Sequence, residues 1–222
     1  MYLIEKNNVM KLAEELAKSY DLYGPVIDKE TKQVFFNKVE SASEISLTAE
    51  IPALPPKTIV FPQIERITKY KYNKAEKKAE IAMTYDERSK AIFGIRPCDL
   101  TGIIVLDRFF LGQEFVDDVY KEHRKRMFIV SNTCVVPFKQ CFCVCTDSGP
   151  AADEGYDLNL TEIGDMYLVE TGSEKGKAFA EKMGLKPAGN EYIALKKKAI
   201  DKSISLFEKV ATDNKAWISR VM

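Results

Sequence analysis

Residues 90–130 read KAIFGIRPCDLTGIIVLDRFFLGQEFVDDVYKEHRKRMFIV. The two ends of this segment are short apolar runs, which are typical of buried strands. Between them, a break at Arg96-Pro97 precedes two predicted helices, over 99–111 and 114–126. Strands and helices in this order indicate neighbouring parallel strands joined by a right-handed crossover. We therefore predict an α/β fold, a mixed sheet with a parallel strand–helix–strand core and flanking helices, with α+β as the alternative.

The amino-terminal part predicts a helix followed by a β-hairpin. Apolar residues recur at three- and four-residue spacing over 9–20, and Asn8 is placed to cap the helix that this spacing implies. The β-rich segments 22–27 and 33–39 are separated by a polar turn, which is typical of a hairpin.

A proline-rich crossing connects this part to the rest of the chain. The prolines predict an extended segment over 51–63. A short helix is expected over 64–70, and the lysine-rich residues 71–79 are expected to form a solvated face or loop. We divide the chain into an amino-terminal helix and hairpin, residues 1–60, packed on a cysteine-bearing core, residues 61–222, with a single domain as the alternative.

The carboxy-terminal part predicts strands followed by helices. Residues 156–160 and 166–170 are expected to form two strands. A helix over 173–183 ends at Gly184, since glycine readily takes the left-handed conformation that terminates helices. The stretch 191–221 is expected to form one long helix or two.

The composition excludes several classes of partner. The 222 residues carry 33 lysines plus arginines and 33 aspartates plus glutamates. Because this balance leaves no overall positive charge to attract phosphates, nucleic acid is not an expected partner. The sequence has no run of about 18 apolar residues, which a membrane span needs, and its start lacks the apolar region of a signal peptide. We therefore expect a cytoplasmic protein without a membrane partner.

Five cysteines are present, and all but one lie within residues 134–145. Disulfide frameworks spread their cysteines along a chain, whereas a local cluster in a reducing compartment favours metal or redox chemistry. Cys98 and Cys134 each follow one of the two predicted parallel strands, and open α/β sheets bind ligands at the carboxyl ends of their strands. The candidate metal ligands are Cys98, Cys134, Cys141, Cys143 and Cys145.

The spacing of these cysteines leaves the metal open. A cubane iron–sulfur cluster takes four thiolates, whereas structural zinc usually takes paired C-x2-C or C-x4-C knuckles, which this sequence lacks. Zinc, or cysteines that bind nothing, remain alternatives.

Two polar residues beside Cys98 are candidates for contact with such a cofactor. Arg96, together with the amino-terminal end of the following helix, would stabilise anionic sulfur. Asp99 is expected to be a capping or first-turn residue and not a metal ligand. No catalytic residue is predicted, because there is no credible triad and His123, the one histidine, is expected on the surface beside a basic run. A nucleotide-binding glycine pattern is also absent.

Four short motifs carry a family resemblance. They are Phe61-Pro62-Gln63 with Glu65, Phe93-Gly94-Ile95-Arg96-Pro97-Cys98-Asp99-Leu100, Cys141-Phe142-Cys143, and Gly155-Tyr156-Asp157-Leu158 with Gly164. Together they cover roughly residues 57–176. They resemble the amino-terminal region of the family that contains the first subunit of anaerobic sulfite reductase together with the sulfhydrogenase (hydrogenase) beta subunit.

The resemblance implies an electron-transfer module. In that family the region precedes a ferredoxin-like part with two cubane clusters, and the subunit relays electrons to or from a partner catalytic or flavin subunit. By motif, the ligands of one 4Fe-4S cluster would here be Cys98, Cys134, Cys141 and Cys143. Cys145 departs from the pattern and would be a spare or substitute ligand. The sequence also stops at Met222 without the C-x2-C-x2-C motifs of the ferredoxin part, which implies an excised domain or a ferredoxin supplied by another chain.

Two other functions stay open at this point. In the first, the chain is a docking or scaffold domain whose cysteines hold zinc or nothing. In the second, the run of cysteines at 141–145 belongs to a thiol–disulfide enzyme, although the C-x-x-C motif of such enzymes is missing.

Overall fold

The computed structural model describes residues 1–48, 50–84 and 86–207. Its strands are β1 (Tyr2–Glu5), β2 (Asp21–Ile27), β3 (Val34–Lys38), β4 (Thr68–Asn73), β5 (Lys78–Met83), β6 (Lys90–Ile95), β7 (Met127–Asn132), β8 (Leu158–Ile163), β9 (Met166–Thr171) and β10 (Lys186–Pro187). Its helices are α1 (Met10–Ala17), α2 (Lys57–Val60), α3 (Pro97–Leu111), α4 (Asp118–Lys125), α5 (Glu174–Lys182) and α6 (Glu191–Ser205).

Eight of these strands form one sheet in the order β10-β1-β9-β8-β7-β6-β2-β3. The centre of the sheet is parallel, because β2 pairs with β6, β6 with β7, and β7 with β8 in the same direction. The outer pairs β2–β3, β8–β9, β1–β9 and β1–β10 are antiparallel. The predicted α/β class, with a mixed sheet around a parallel core, is confirmed. Strands from residues 1–60 and from residues 61–222 share this sheet.

Helices cover both faces of the sheet, because its central strands are apolar on both sides. Along β7, Phe128 and Val130 belong to one core cluster with α1 and α5, whereas Met127 and Ile129 belong to a second cluster with α3 and α4. This two-sided burial explains why the strand reads as a continuous apolar run. Because both faces of the sheet are covered, functional side chains are expected on the loops at the carboxyl ends of β6 and β7.

The amino-terminal helix differs from the prediction at its start. α1 begins at Met10 with Val9 at the N-cap, and Asn8 lies in a preceding 3-10 turn. The Asn8 side chain donates a 2.8 Å hydrogen bond to the Glu5 carboxylate and caps no helix. The predicted cap is therefore wrong, whereas the hairpin formed by β2 and β3 is confirmed.

The region around the prolines also differs from the prediction. The helix expected over 64–70 is wrong, because β4 begins at Thr68 and pairs with β5 in an exposed hairpin. The single turn α2 interrupts the segment expected to be extended and buries Ile59 and Val60. The exposure of residues 71–79 agrees with the predicted solvated face.

The carboxy-terminal elements follow the prediction closely. The strands β8 and β9 form the expected pair, and Ser173 caps α5 by accepting a hydrogen bond from the Gly176 amide. Gly184 follows the helix with a φ of 62°. Of the stretch 191–221, expected to form one long helix or two, α6 occupies Glu191–Ser205, and the part beyond residue 207 lies outside the described residues. Within the described ranges, no helix is long and apolar enough to span a membrane.

Gly94 allows β6 to bend just before the site. Its φ is +82°, the β6–β7 register shifts between Phe93 and Ile95, and a Cβ atom there would lie 2.6 Å from Leu47 Cδ2. We expect Gly94→Ala to lower the free energy of unfolding by about 2 kcal/mol, because alanine is strained at this φ. Urea unfolding measures the change.

Gly102 provides the matched control for this substitution. It lies within α3, and a Cβ atom there would have no heavy atom within 4 Å. Gly102→Ala should stabilise the protein by up to about 1 kcal/mol, since alanine is the better helix former. Equal effects of the two substitutions would contradict the role assigned to the Gly94 backbone.

Candidate functional site

The two central parallel strands bring Cys98 and Cys134 to the same edge of the sheet. Cys98 lies in the first turn of α3, which starts at Pro97 directly after β6 with Arg96 as N-cap. Cys134 follows the end of β7. The predicted placement of both residues beyond the carboxyl ends of adjacent parallel strands is therefore found in the structure.

The loop after β7 turns sharply through the remaining cysteines. The Cys141 amide donates to the Phe138 carbonyl at 3.0 Å, and the Cys145 amide donates to the Phe142 carbonyl at 2.8 Å. Cys143 begins a 3-10 turn that ends at Cys145. An extended chain would send all three cysteines of this run to one side, whereas the turn directs Cys145 away from Cys141 and Cys143.

A cavity of about 300 Å³ lies where these segments meet. Six of the seven predicted site residues line it, namely Arg96, Cys98, Asp99, Cys134, Cys141 and Cys143. The exception, Cys145, is only 3% exposed and packs in an apolar cluster with Val144 and Phe207. The structure thus brings four cysteines to one cavity and separates the fifth from its lining.

Nitrogen–hydrogen donors face the sulfurs of all four lining cysteines. Arg96 Nη1 donates to Cys134 Sγ at 3.3 Å, and the Phe138 amide donates to Cys141 Sγ at 3.3 Å. A backbone hydrogen bond from Asp99 acts on the Cys98 thiol and lowers its pKa. Cys143 Sγ faces backbone amides of its own turn. Hydrogen bonds of this kind favour the anionic form of sulfur.

Burial nevertheless raises the pKa of three of the thiols that line this cavity, those of Cys98, Cys134 and Cys143. Although Cys98 retains access to solvent, the protein atoms around its sulfur raise the pKa of the thiol to about 12, and the charge of Asp99 adds to this. Burial raises the pKa of Cys143 to about 11. It also raises the pKa of Cys134, against the opposing effect of Arg96. Binding of a metal centre to these sulfurs would therefore release protons.

Asp99 lines the cavity from the first turn of α3. Burial raises the pKa of its carboxyl group to about 6, while the positive charges of Arg96 and Lys57 act in the opposite direction. Its first-turn position agrees with the prediction. Arg96 and Asp99 thus place a positively charged guanidinium group and a carboxyl group in the lining of the cavity, together with the four cysteines.

Four cysteine thiols are a donor set that an iron–sulfur cluster or zinc can use. Across residues 1–48, 50–84 and 86–207, no three Cys, His, Asp or Glu side chains are close enough to hold one metal ion. A zinc ion needs each sulfur about 2.3 Å from a single point. The four thiolates of a cubane cluster bind different irons and therefore surround a larger volume. Four cysteines line the cavity, which is the number of ligands that a cubane cluster takes.

Helix α6 closes the site from outside and was not predicted to belong to it. The Ser203 hydroxyl, fully buried, donates to the Cys134 carbonyl at 2.7 Å. Phe207, which follows the helix, lines the cavity. Neither residue lies near a cysteine in the sequence, and a serine that directly follows Asp201 and Lys202 carries no signal of burial. Only the packing of α6 against the loop identifies them.

The predicted surface position of His123 is wrong. The residue is 6% exposed, its Nδ1 donates to the Val60 carbonyl at 3.1 Å, and its Nε2 lies 2.9 Å from Glu65 Oε1. Glu65 is part of the first family motif, so this motif has a structural role. Because α4 is rich in charged residues, its sequence did not indicate that the face carrying His123 is buried.

Asp157, from the last family motif, also has a structural role. Its carboxylate accepts hydrogen bonds from the Ile129 amide at 2.8 Å and from the Ser173 hydroxyl at 2.5 Å. The carboxylate therefore joins β7 to the start of α5. This contact fixes the end of the cysteine-bearing loop, because Asp157 is the residue at which the loop enters β8.

Comparison with known proteins agrees with the motifs. The Sulfhydrogenase 2 subunit beta of Pyrococcus furiosus is 34% identical to this chain over 158 residues, which make up 71% of the chain and 44% of that protein. The chain thus spans less than half the length of this curated relative. No family model and no solved structure matches the chain. The resemblance predicted from the four motifs is confirmed.

Proposed function

We propose, from the similarity to a sulfhydrogenase beta subunit, that this chain is the iron–sulfur electron-transfer module of a hydrogenase-like or sulfite reductase-like redox complex. One observation carries the proposal: four cysteines from three separate stretches of the chain line one cavity, and each sulfur faces nitrogen–hydrogen donors. Cysteines that served only as separate core residues would not be expected to line the same cavity.

The proposed ligands of a single 4Fe-4S cluster are Cys98, Cys134, Cys141 and Cys143. Cys145, which packs behind them, is a spare and not a ligand in this arrangement. Such a cluster, when bound, takes up and releases single electrons. Zinc in the same cavity is the alternative.

The other residues of the site set the environment of the sulfurs. Arg96 contributes a positive charge and a donor at Cys134, and its guanidinium lies 4.7 Å from the centre of the Phe138 ring. Phe207 and the buried Ser203 hold α6 over the loop and limit access of water from that side. The module is not itself catalytic in this proposal, since no substrate-activating group is assigned.

The partners and location follow from the same role. The module relays electrons between a ferredoxin-like chain and a partner catalytic or flavin subunit. We place it in the cytoplasm, because a local cluster of cysteines suits a reducing compartment.

Reversible reduction tests the proposed function directly. The full chain would be reconstituted anaerobically with iron and sulfide and reduced stepwise with dithionite while its visible absorbance is recorded. We expect bleaching that corresponds to about one electron per chain and that is reversed by an oxidised ferredoxin. A preparation that binds iron but does not change its absorbance would contradict electron transfer.

Arg96→Gln should shift the reduction potential of the module to a more negative value. The substitution removes a positive charge and a hydrogen-bond donor beside Cys134 Sγ, and both favour the more negatively charged reduced state. A potentiometric titration followed by electron paramagnetic resonance measures the shift. Arg108→Gln is the control, because Arg108 is also on α3 but forms an exposed ion pair with Glu154. Equal potentials in the wild type and Arg96→Gln would refute the assigned role.

A further inference from the structure

The hairpin formed by β4 and β5 stands apart from the main sheet. It forms a separate two-stranded sheet, and every residue from 66 to 83 is exposed. Within the part of the chain that the structure describes, neither strand makes an extensive contact with another helix or strand. Isolated two-stranded hairpins are marginally stable in water, so a hairpin of this length calls for a further stabilising contact.

The base of the hairpin is nevertheless anchored to the protein body, whereas its tip is closed by a contact within the hairpin itself. At its base, Glu65 Oε1 accepts from the Asp86 amide at 3.4 Å and lies 2.9 Å from Nε2 of the buried His123. At its tip, the Asn73 side chain accepts from the Ala75 amide at 3.1 Å. The hairpin is therefore presented by the protein body at a defined place.

The two faces of the hairpin differ in character. One face pairs Tyr70 with Ile81 and carries Tyr72 and Met83 beside them, and these four side chains are 53–77% exposed. The opposite face pairs Lys71 with Glu80 and is polar. Alternation of apolar and polar residues normally buries one face of a sheet. Here nothing among the described residues covers the apolar face.

The hairpin also carries a local positive charge. Five lysines and two glutamates lie within residues 68–83, whereas the whole chain has no formal net charge. The lysines are Lys69, Lys71, Lys74, Lys77 and Lys78. A second copy of the same positively charged hairpin would be repelled, whereas an acidic surface would be attracted.

We propose that the β4–β5 hairpin is a docking arm for another protein subunit, whose surface has an apolar centre and an acidic rim. Exposed tyrosine, isoleucine and methionine side chains would form the centre of the interface, since aromatic side chains and methionine are enriched in such centres. The lysines would form its polar rim. This proposal does not require the cysteine cavity to hold a cluster.

Zero-length cross-linking tests the proposal on the complex that tagged full-length chain forms in its own host. A carbodiimide would join lysines to carboxylates in the purified complex, and the linked peptides would be identified by mass spectrometry. We expect links from Lys69, Lys71, Lys74, Lys77 or Lys78 to aspartates or glutamates of one other subunit. A stable complex without links from these lysines would overturn the proposal.

A double variant isolates the contribution of the apolar face. Tyr70→Ser with Ile81→Ser should reduce recovery of the cross-linked subunit by about tenfold, because interface centres carry most of the binding energy. Phe115→Ser is the control, since Phe115 is 86% exposed outside the hairpin. The Cys143→Ser variant should keep the partner, which separates this proposal from the proposed cluster. Undiminished recovery with the double variant would contradict the docking arm.

Two other possible binding partners of the hairpin would give results that differ from those expected for another protein subunit. Links between two copies of this chain would identify a self-association surface and refute a heterologous partner. Co-sedimentation of the wild type, but not of the double variant, with vesicles of phosphatidylcholine and phosphatidylserine would identify a membrane contact and refute a protein partner.

Discussion

Cys134→Ser should remove nearly all iron from the reconstituted protein, from about four irons per chain to close to zero. Serine has nearly the same shape as cysteine, but its hydroxyl does not replace a thiolate as a ligand of iron. The backbone contact of this residue, in which its carbonyl accepts from Ser203, does not depend on the side chain. Iron analysis and visible spectra before and after reconstitution measure the effect.

Cys145→Ser is the matched control within the same loop. This residue is 3% exposed and packs with Val144 and Phe207 behind the cavity. We expect the variant to retain the iron content and the spectrum of the wild type. Loss of iron in Cys145→Ser with retention in Cys134→Ser would show that the ligand set is assigned incorrectly. Thermal unfolding of both variants separates loss of ligand from loss of fold.

Asp157→Ala should lower the free energy of unfolding by about 3 kcal/mol. The substitution leaves the amide of the fully buried Ile129 without its 2.8 Å acceptor and removes the partner of the Ser173 hydroxyl. Hydrogen bonds to a charged group contribute about 1.5–3 kcal/mol each, and an unsatisfied buried donor adds its own cost. Urea unfolding followed by circular dichroism gives the value.

Asp153→Ala provides the comparison for this loss. Asp153 lies on the same loop but is exposed, so its replacement should change stability by less than about 0.5 kcal/mol. A loss below about 1 kcal/mol in Asp157→Ala would show that the contact between β7 and α5 does not depend on this carboxylate.

The centre of the fold was predictable because its signals are local. The apolar runs of β6 and β7 are buried on both faces, and the proline at the start of α3 marks where the strand gives way to the helix. These features also place Cys98 and Cys134 at one edge of the sheet. The convergence of four cysteines on one cavity follows from this placement and from the turn at Cys143.

The errors concern contacts between residues far apart in the sequence. Glu65 and His123 meet across more than fifty positions, and the histidine lies on a helix most of whose other residues are charged. The strand β1 was missed because it is short and gains its hydrogen bonds from β9, far along the chain. Local patterns contain no information about either contact.

The helix expected over 64–70 failed for a different reason. Tyr70 and Tyr72 alternate with lysines, which is the pattern of a strand with one apolar face. For residues 71–79, the lysines led to the prediction of a solvated face or loop, and the alternation was not recognised. The same alternation, once the pairing of β4 with β5 is known, becomes the evidence for a docking surface.

The metal content of anaerobically purified full-length chain tests the central claim most directly. The account predicts about four irons and four sulfides per chain, with negligible zinc, after reconstitution. One zinc per chain, or no metal despite the four free thiols that line the cavity, would contradict it and leave the chain as a docking domain without a cluster.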